Sequence, residues 1–186
     1  SGYIVAGVSG SIDGDVTESN GYDDYWVVKL DSLGNILWQN TYGGSSFDQC
    51  NDIVLTSDGG YLLAGYIYSN DGDITLNHGD VDYWVVKISV TGVIEWQKSF
   101  GGIETDFANR ILTLPSGNFM IIGESSSNDG DVLGHHNTPT KTNDIWVIEI
   151  DPSGNLLSSK CYGSYFDESA GDIILLGDGI AIVGTT

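Results

Sequence analysis

The feature that most constrains this chain is that it repeats itself. Gly2-Tyr3-Ile4-Val5-Ala6-Gly7 returns as Gly60-Tyr61-Leu62-Leu63-Ala64-Gly65 and again as Asn118-Phe119-Met120-Ile121-Ile122-Gly123, with a truncated fourth copy at Ile180-Ala181-Ile182-Val183-Gly184. A second landmark follows each of the first three. It reads Asp24-Tyr25-Trp26-Val27-Val28-Lys29-Leu30, then Asp82-Tyr83-Trp84-Val85-Val86-Lys87-Ile88, then Asp144-Ile145-Trp146-Val147-Ile148-Glu149-Ile150. Tyr42-Gly43-Gly44, Phe100-Gly101-Gly102 and the looser Tyr162-Gly163-Ser164 close each unit, so the period is about 58 residues.

Within one unit the pattern predicts four short strands. In the second copy they run over 51–56, 61–68, 83–89 and 93–100, each rich in Val, Ile, Tyr, Phe and Trp. The turns between them carry Gly, as in Ser57-Asp58-Gly59-Gly60, Ser32-Leu33-Gly34-Asn35 and Pro152-Ser153-Gly154-Asn155, because Gly reaches positive φ at no steric cost. Several strands, such as 25–30, are near-continuous apolar runs rather than alternations, which implies a sheet covered on both faces. An all-β chain of four-stranded antiparallel sheets repeating at this period reads as a series of β-propeller blades. The blades divide at 1–44 (partial), 45–102, 103–164 and 165–186 (partial).

Counting from Tyr3 gives 13 strands, fewer than the typical closed ring of about 4 to 8 four-stranded blades needs. An open stack would expose apolar faces and edges. The expectation is therefore an incomplete ring, completed by the remainder of a longer parent chain or by a second copy. In the second arrangement 173–183 of one chain and 3–41 of another form one shared blade.

The aromatics follow the repeat. Trp26, Trp84 and Trp146 hold one position, Trp38 and Trp96 another, and Tyr42, Phe100 and Tyr162 a third, which reads as packing between sheets and not as ligand binding. Cys50 aligns with Ala108 and Ala170 as a small buried residue at a strand start. Two cysteines are too few for a disulfide framework or a cysteine-based zinc site.

Charge narrows the function classes. Against 26 acidic side chains stand 6 basic ones, a formal charge of -20. Nucleic acid and anionic lipid surfaces both depend on Lys/Arg neutralisation, so neither is an expected partner. Divalent cations, cationic partners and neutral glycans remain. No apolar run approaches the roughly 18 residues of a membrane span, so membrane insertion is not expected.

The string Gly-Tyr-Ile-Val-Ala-Gly, Asp-Gly-Asp-Val, Asp-Tyr-Trp-Val-Val-Lys-Leu-Asp and Gly-Asn-Ile-Leu-Trp-Gln-Asn-Thr-Tyr-Gly-Gly-Ser resembles the β-propeller repeats of secreted and cell-surface Bacteroidota proteins, many of which end in a type IX secretion sorting domain. The resemblance covers essentially the whole chain. It implies the propeller fold, a secreted or cell-surface location, and contact with secretion machinery; it supplies no catalytic motif. The third copy departs from the pattern: Glu149 replaces Lys29 and Lys87, Ser158 replaces the second Trp, and His135 to Lys141 enlarges a loop.

Strand alternation puts the loop between the second and third strands of a unit, and the connection to the next unit, on one face. Loops on a rigid scaffold are where binding concentrates. Three Asp-Gly-Asp motifs fall there: Asp13-Gly14-Asp15, Asp71-Gly72-Asp73 and Asp129-Gly130-Asp131. Paired carboxylates around a Gly suit Ca²⁺, which would make these six aspartates the metal-site loops and Ca²⁺ the cofactor. The same residues are strong turn formers whose carboxylates bond local amides, and they lack EF-hand spacing.

His78, His135 and His136 lie in the long loops, where His135-His136 with Asn137 is a weaker transition-metal motif and a solvated loop is the competing reading. Carboxylates that recur in every unit suit scaffold or multivalent binding better than an asymmetric hydrolytic pair. The reading is an extracellular binding or scaffolding module without catalysis of its own, binding protein or glycan. The alternative is a carbohydrate-active or other hydrolytic propeller with its site on the acidic face. The enlarged loop at 134–143 is the one place expected to carry unrepeated polar residues.

Overall fold

The chain was analysed as a computed structural model that describes residues 2–136, 141–177 and 179–186. All of its regular elements there are strands, thirteen in number: β1 (Gly2–Ser9), β2 (Asp24–Asp31), β3 (Ile36–Tyr42), β4 (Asp48–Leu55), β5 (Tyr61–Ile67), β6 (Asp82–Ile88), β7 (Ile94–Phe100), β8 (Asp106–Thr113), β9 (Phe119–Ser125), β10 (Asp144–Ile150), β11 (Leu156–Tyr162), β12 (Ser169–Leu175) and β13 (Ile180–Thr185). They form four antiparallel sheets in chain order: β1-β2-β3, β4-β5-β6-β7, β8-β9-β10-β11 and β12-β13.

Successive sheets pack face to face, and the side-chain alternation of the middle strands assigns each residue to one seam. Tyr61, Leu63, Trp84, Val86 and Ile88 face the first sheet and bury Tyr25, Val27 and Tyr42. Their neighbours Leu62, Ala64, Tyr83 and Val85 face the third sheet and bury Ile121, Trp146, Ile148 and Ile150. A third, smaller core joins Ile122 and Val147 to Ala170 and Ile173. This is why β6 reads as a near-continuous apolar run: all seven of its residues are buried, Asp82 and Lys87 included. The Lys87 ammonium meets Asp58 at 2.9 Å and Glu95 at 2.7 Å, so its charge is paired where it leaves the sheet.

Most of the repeated aromatics pack between sheets, whereas Trp26, in the first sheet, is only partly buried and belongs to none of the three cores. Trp84 and Trp146 are fully buried. The Tyr25 hydroxyl donates to the Trp84 carbonyl at 3.0 Å across one seam, and the Tyr83 hydroxyl to the Trp146 carbonyl at 3.1 Å across the next. Trp38 and Trp96 lie against the glycine turns of the following sheet, at Gly92 and Gly154, where an added Cβ would meet their rings. Tyr162 departs from this behaviour. Tyr42 and Phe100 are buried, but Tyr162 is half exposed because the last sheet has two strands and does not reach it. Cys50, Ala108 and Ala170 are all buried, as small residues at that register should be.

One structural device was absent from the sequence reading. The first strand of each unit begins earlier than its apolar run, at Asp48 in place of 51, and contains a β-bulge. Register shifts fall between Cys50/Asp52, Ala108/Arg110 and Ala170/Asp172. The bulged Asn51 and Asn109 turn their amides across to the next sheet, donating to the Ala108 carbonyl at 2.8 Å and the Ala170 carbonyl at 2.9 Å. A bulge re-aims one side chain without ending the strand, and here it ties neighbouring first strands together.

Candidate functional site: the long-loop face

Both loop types share a face, as strand alternation requires. The end of the β1–β2 loop runs beside the β3–β4 connection through the Asp23–Phe47 bridge, and the β5–β6 loop runs beside the β7–β8 connection through Val81–Thr105.

The Asp-Gly-Asp turns fasten these loops to the preceding connection. Asp71 accepts the Ser45 amide at 2.7 Å and Asp73 the Gly43 amide at 3.2 Å, while the Asp73 amide donates back to the Gly43 carbonyl at 3.0 Å. Asp129 and Asp131 do the same with Ile103 at 2.9 Å and Gly101 at 3.4 Å. The Ser45 amide holds the Asp71 carboxyl below its ordinary range. Asp13 and Asp15 are exposed. The second and third motifs thus act as straps between sheets, and a cation there would compete with amide donors for the same oxygens. Among the described residues no group of three His, Cys, Asp or Glu side chains is placed to hold a metal ion.

Beneath the straps lies a second set of carboxylates. Asp24, Asp48, Asp82, Asp106, Asp144 and Glu168 are all buried. They pair at each seam around a glycine: a Cβ on Gly101 would collide with Asp82 Oδ1 and lie 2.6 Å from Asp106 Oδ2, and Gly43 and Gly163 stand in the same relation to Asp24 with Asp48 and to Asp144 with Glu168. Only Gly lets the connection pass so close.

Most of the oxygens hold backbone. Asp48 takes the amides of Gly44 at 2.8 Å and of Tyr68 and Ser69 at 3.2 Å each, and Asp106 takes Gly102 and the Ser127 hydroxyl, each at 2.9 Å. The Oδ1 atoms of Asp24, Asp82, Asp106 and Asp144 are buried with no hydrogen-bond partner among the described residues. Desolvation pushes the Asp106 carboxyl up to about 7, and the Asp82 charge adds to the effect.

The histidines belong to this set. His78 meets Asp82 through its amide at 2.5 Å and Nδ1 at 2.7 Å. His136 meets Asp144 in the same way at 2.8 and 2.9 Å, in the place that Asn20 holds in the first unit. His135 Nε2 lies 3.0 Å from the Thr142 carbonyl, so the two adjacent imidazoles take separate partners; Asn137 lies outside the described residues.

A group that breaks the repeat is aromatic and is drawn from the first three units; of the enlarged loop at 134–143, residues 137–140 lie outside the described residues. Tyr22 and Phe47 stack with centroids 5.1 Å apart and planes 13° apart. Phe47 meets Tyr68 edge-on at 6.5 Å, Tyr68 meets Tyr66 at 6.2 Å, and Tyr66 meets Phe107 at 4.9 Å. Tyr22, Phe47 and Tyr68 are 68%, 48% and 46% exposed, unlike every aromatic of the seams just described except Tyr162.

None of the five recurs in register. Asp80 stands where Tyr22 would repeat, Thr105 and Asp167 for Phe47, Glu124 for Tyr66, Ser126 for Tyr68, and Gln49 and Ser169 for Phe107. The row crosses two grooves. One, of about 440 Å³, is polar and includes Asn51, Asn109, Arg110 and Glu124. The other, of about 410 Å³, lies between Phe47, Tyr66 and Tyr68.

No protein-family model matches the chain. It is similar to the Regulatory protein FlaEY of Caulobacter vibrioides, 26% identical over 98% of this chain. The chain spans 20% of the length of that relative.

Proposed function

We propose that this chain is a segment of a β-propeller serving as a non-catalytic binding or scaffolding module of a larger secreted or cell-surface protein, with the remaining blades supplied by the parent chain or by a second copy. Face-to-face antiparallel sheets, both loop types on one face, and identical seam devices in successive units support the propeller reading. The alignment with one fifth of a much longer relative supports the reading as a portion of a larger protein. The extracellular setting, and contact with secretion machinery, rest on the resemblance to Bacteroidota surface repeats.

The observation that carries the binding role is the contrast between two classes of aromatic. Repeated ones with a sheet on their side, such as Tyr25, Tyr83, Trp84 and Trp146, are fully buried in seams, and the repeated Tyr3 and Tyr162, in the first and third sheets, are exposed; the unrepeated Tyr22, Phe47 and Tyr68 stand exposed in one row on a rigid scaffold. The buried acid pairs recur at each seam and hold backbone amides, which is the work of a scaffold. The experiment is to immobilise the full chain and the Tyr68→Ala variant and screen both against a glycan array and a peptide array. Ligands that bind the first and not the second support the reading, and uniform silence, or binding indifferent to Tyr68, refutes it.

A further inference from the structure

Resting on that reading, we infer that the groove between Phe47, Tyr66 and Tyr68 is a site for an organic cation, an alkylammonium group carried by a partner's lysine side chain or by a small free amine. Its walls are three aromatic rings, with adjacent planes at 78° and 73°. Rings at near right angles make a corner and not a flat platform, and a corner puts more than one π-face or edge around one guest. Sugar stacking needs only a single open face; an ammonium group gains from several rings at once. The volume, about 410 Å³, is of small-ligand size.

The charged groups lining the groove are both acidic. Asp23 and Asp48 border it, and no Lys or Arg does. Asp48 is spent on the amides of Gly44, Tyr68 and Ser69. The Asp23 carboxylate accepts no hydrogen bond among the described residues; it lies over Gly10, where a Cβ would come within 2.6 Å of Oδ1. Its backbone is fixed, since the Asp23 carbonyl accepts the Asp48 amide at 2.7 Å.

Gln49 is committed as well: its Oε1 accepts the Tyr66 hydroxyl at 2.9 Å and its Nε2 donates to Asn51 at 2.8 Å. Tyr22 lies parallel to Phe47 and holds that ring from outside. The site therefore offers aromatic rings, one uncommitted carboxylate and no competing cation, on a chain of charge -20 that attracts positive ligands over its whole surface.

The test uses calorimetric titration of the full chain with four probes: a short lysine peptide, the same peptide with its lysine acetylated, choline chloride, and a set of neutral oligosaccharides. Binding of the lysine peptide or of choline identifies which source of ammonium the site takes. With either, binding is expected to be lost in Tyr68→Ala, kept within threefold in Tyr68→Phe, weakened about tenfold in Asp23→Asn, and weakened by added salt, with the acetylated peptide silent. Neutral oligosaccharides binding in a Tyr68-dependent way while both cations are silent would overturn the cation inference and leave the binding role standing. Silence of every probe would overturn the inference, and a silent array screen beside it would remove the binding role too. Tyr68 is about half exposed, so its variants are expected to fold, which matched melting curves will check.

Discussion

Asp106 makes the most quantitative prediction. It is fully buried at the seam of the second and third sheets, beside Asp82, and its carboxyl titrates near 7 instead of the ordinary 3.8. In the folded chain it therefore keeps its proton up to about neutral pH, whereas in the unfolded chain it loses it near pH 4. Between those values the folded state binds more protons, so stability falls as pH rises and levels off above about 7. A tenfold change in proton affinity is worth about 1.4 kcal/mol, and because the folded group is half titrated at about pH 7 the loss from about pH 5 to about pH 7 is roughly 2 kcal/mol. For a chain of this size that is on the order of 4 to 8 °C in melting midpoint.

The assay is thermal melting at constant ionic strength across this range, on the native chain and on Asp106→Asn, which mimics the neutral acid. The native chain is expected to melt lower at about pH 8 than at about pH 5, and the variant to lose most of that slope. General repulsion within so acidic a chain acts in the same direction, so the difference between the two proteins is the diagnostic quantity. An equal slope in both, or a native midpoint that rises with pH, would refute the assignment.

Other perturbations separate the seam devices. Gly101→Ala drives a Cβ into Asp82 Oδ1 and is expected to cost about 2 to 4 kcal/mol, against about 1 kcal/mol for Gly14→Ala, which meets open space and only a strained φ of 65°; denaturant midpoints will compare them. Tyr25→Phe removes the buried bond to the Trp84 carbonyl and is expected to lower stability by about 1 to 2 kcal/mol in the same assay. Asp71→Ala releases the Ser45 amide and is expected to speed hydrogen exchange at Ser45. If the Asp-Gly-Asp turns are straps only, millimolar Ca²⁺ leaves the melting midpoint unchanged, and a rise abolished in Asp71→Ala would place the metal there.

The strands and hairpins were legible because each is specified locally, by apolar runs between glycine turns. The near-continuous apolar run over 25–30, repeated in β6, implies two covered faces from sequence alone. The bulge at Asn51 was not legible: the run itself gives no sign that Asp48 to Cys50 continues the strand, and the reason lies in Asp48 holding amides from Tyr68 and Ser69, twenty residues away. The buried acid pairs escaped for a related reason. In sequence Asp82 and Asp106 are two carboxylates among 26 acidic residues, and only the close passage of Gly101 brings them together. The aromatic row had a usable signal in the repeat itself. Positions such as 22, 47, 68 and 107 are aromatic in one unit and in no other.

The division of labour between repeated and unrepeated aromatics is what the account stands on, and it can be measured without any ligand. Melting midpoints of Phe47→Ala and Tyr68→Ala, set beside that of Tyr25→Ala, test it. The row residues should each shift the midpoint by no more than about 2 °C, under 1 kcal/mol, while the seam residue should cost about 3 to 5 kcal/mol, ten degrees or so. If Phe47→Ala and Tyr68→Ala melt as far below the native chain as Tyr25→Ala does, the row is a part of the scaffold and the site assigned to it does not exist.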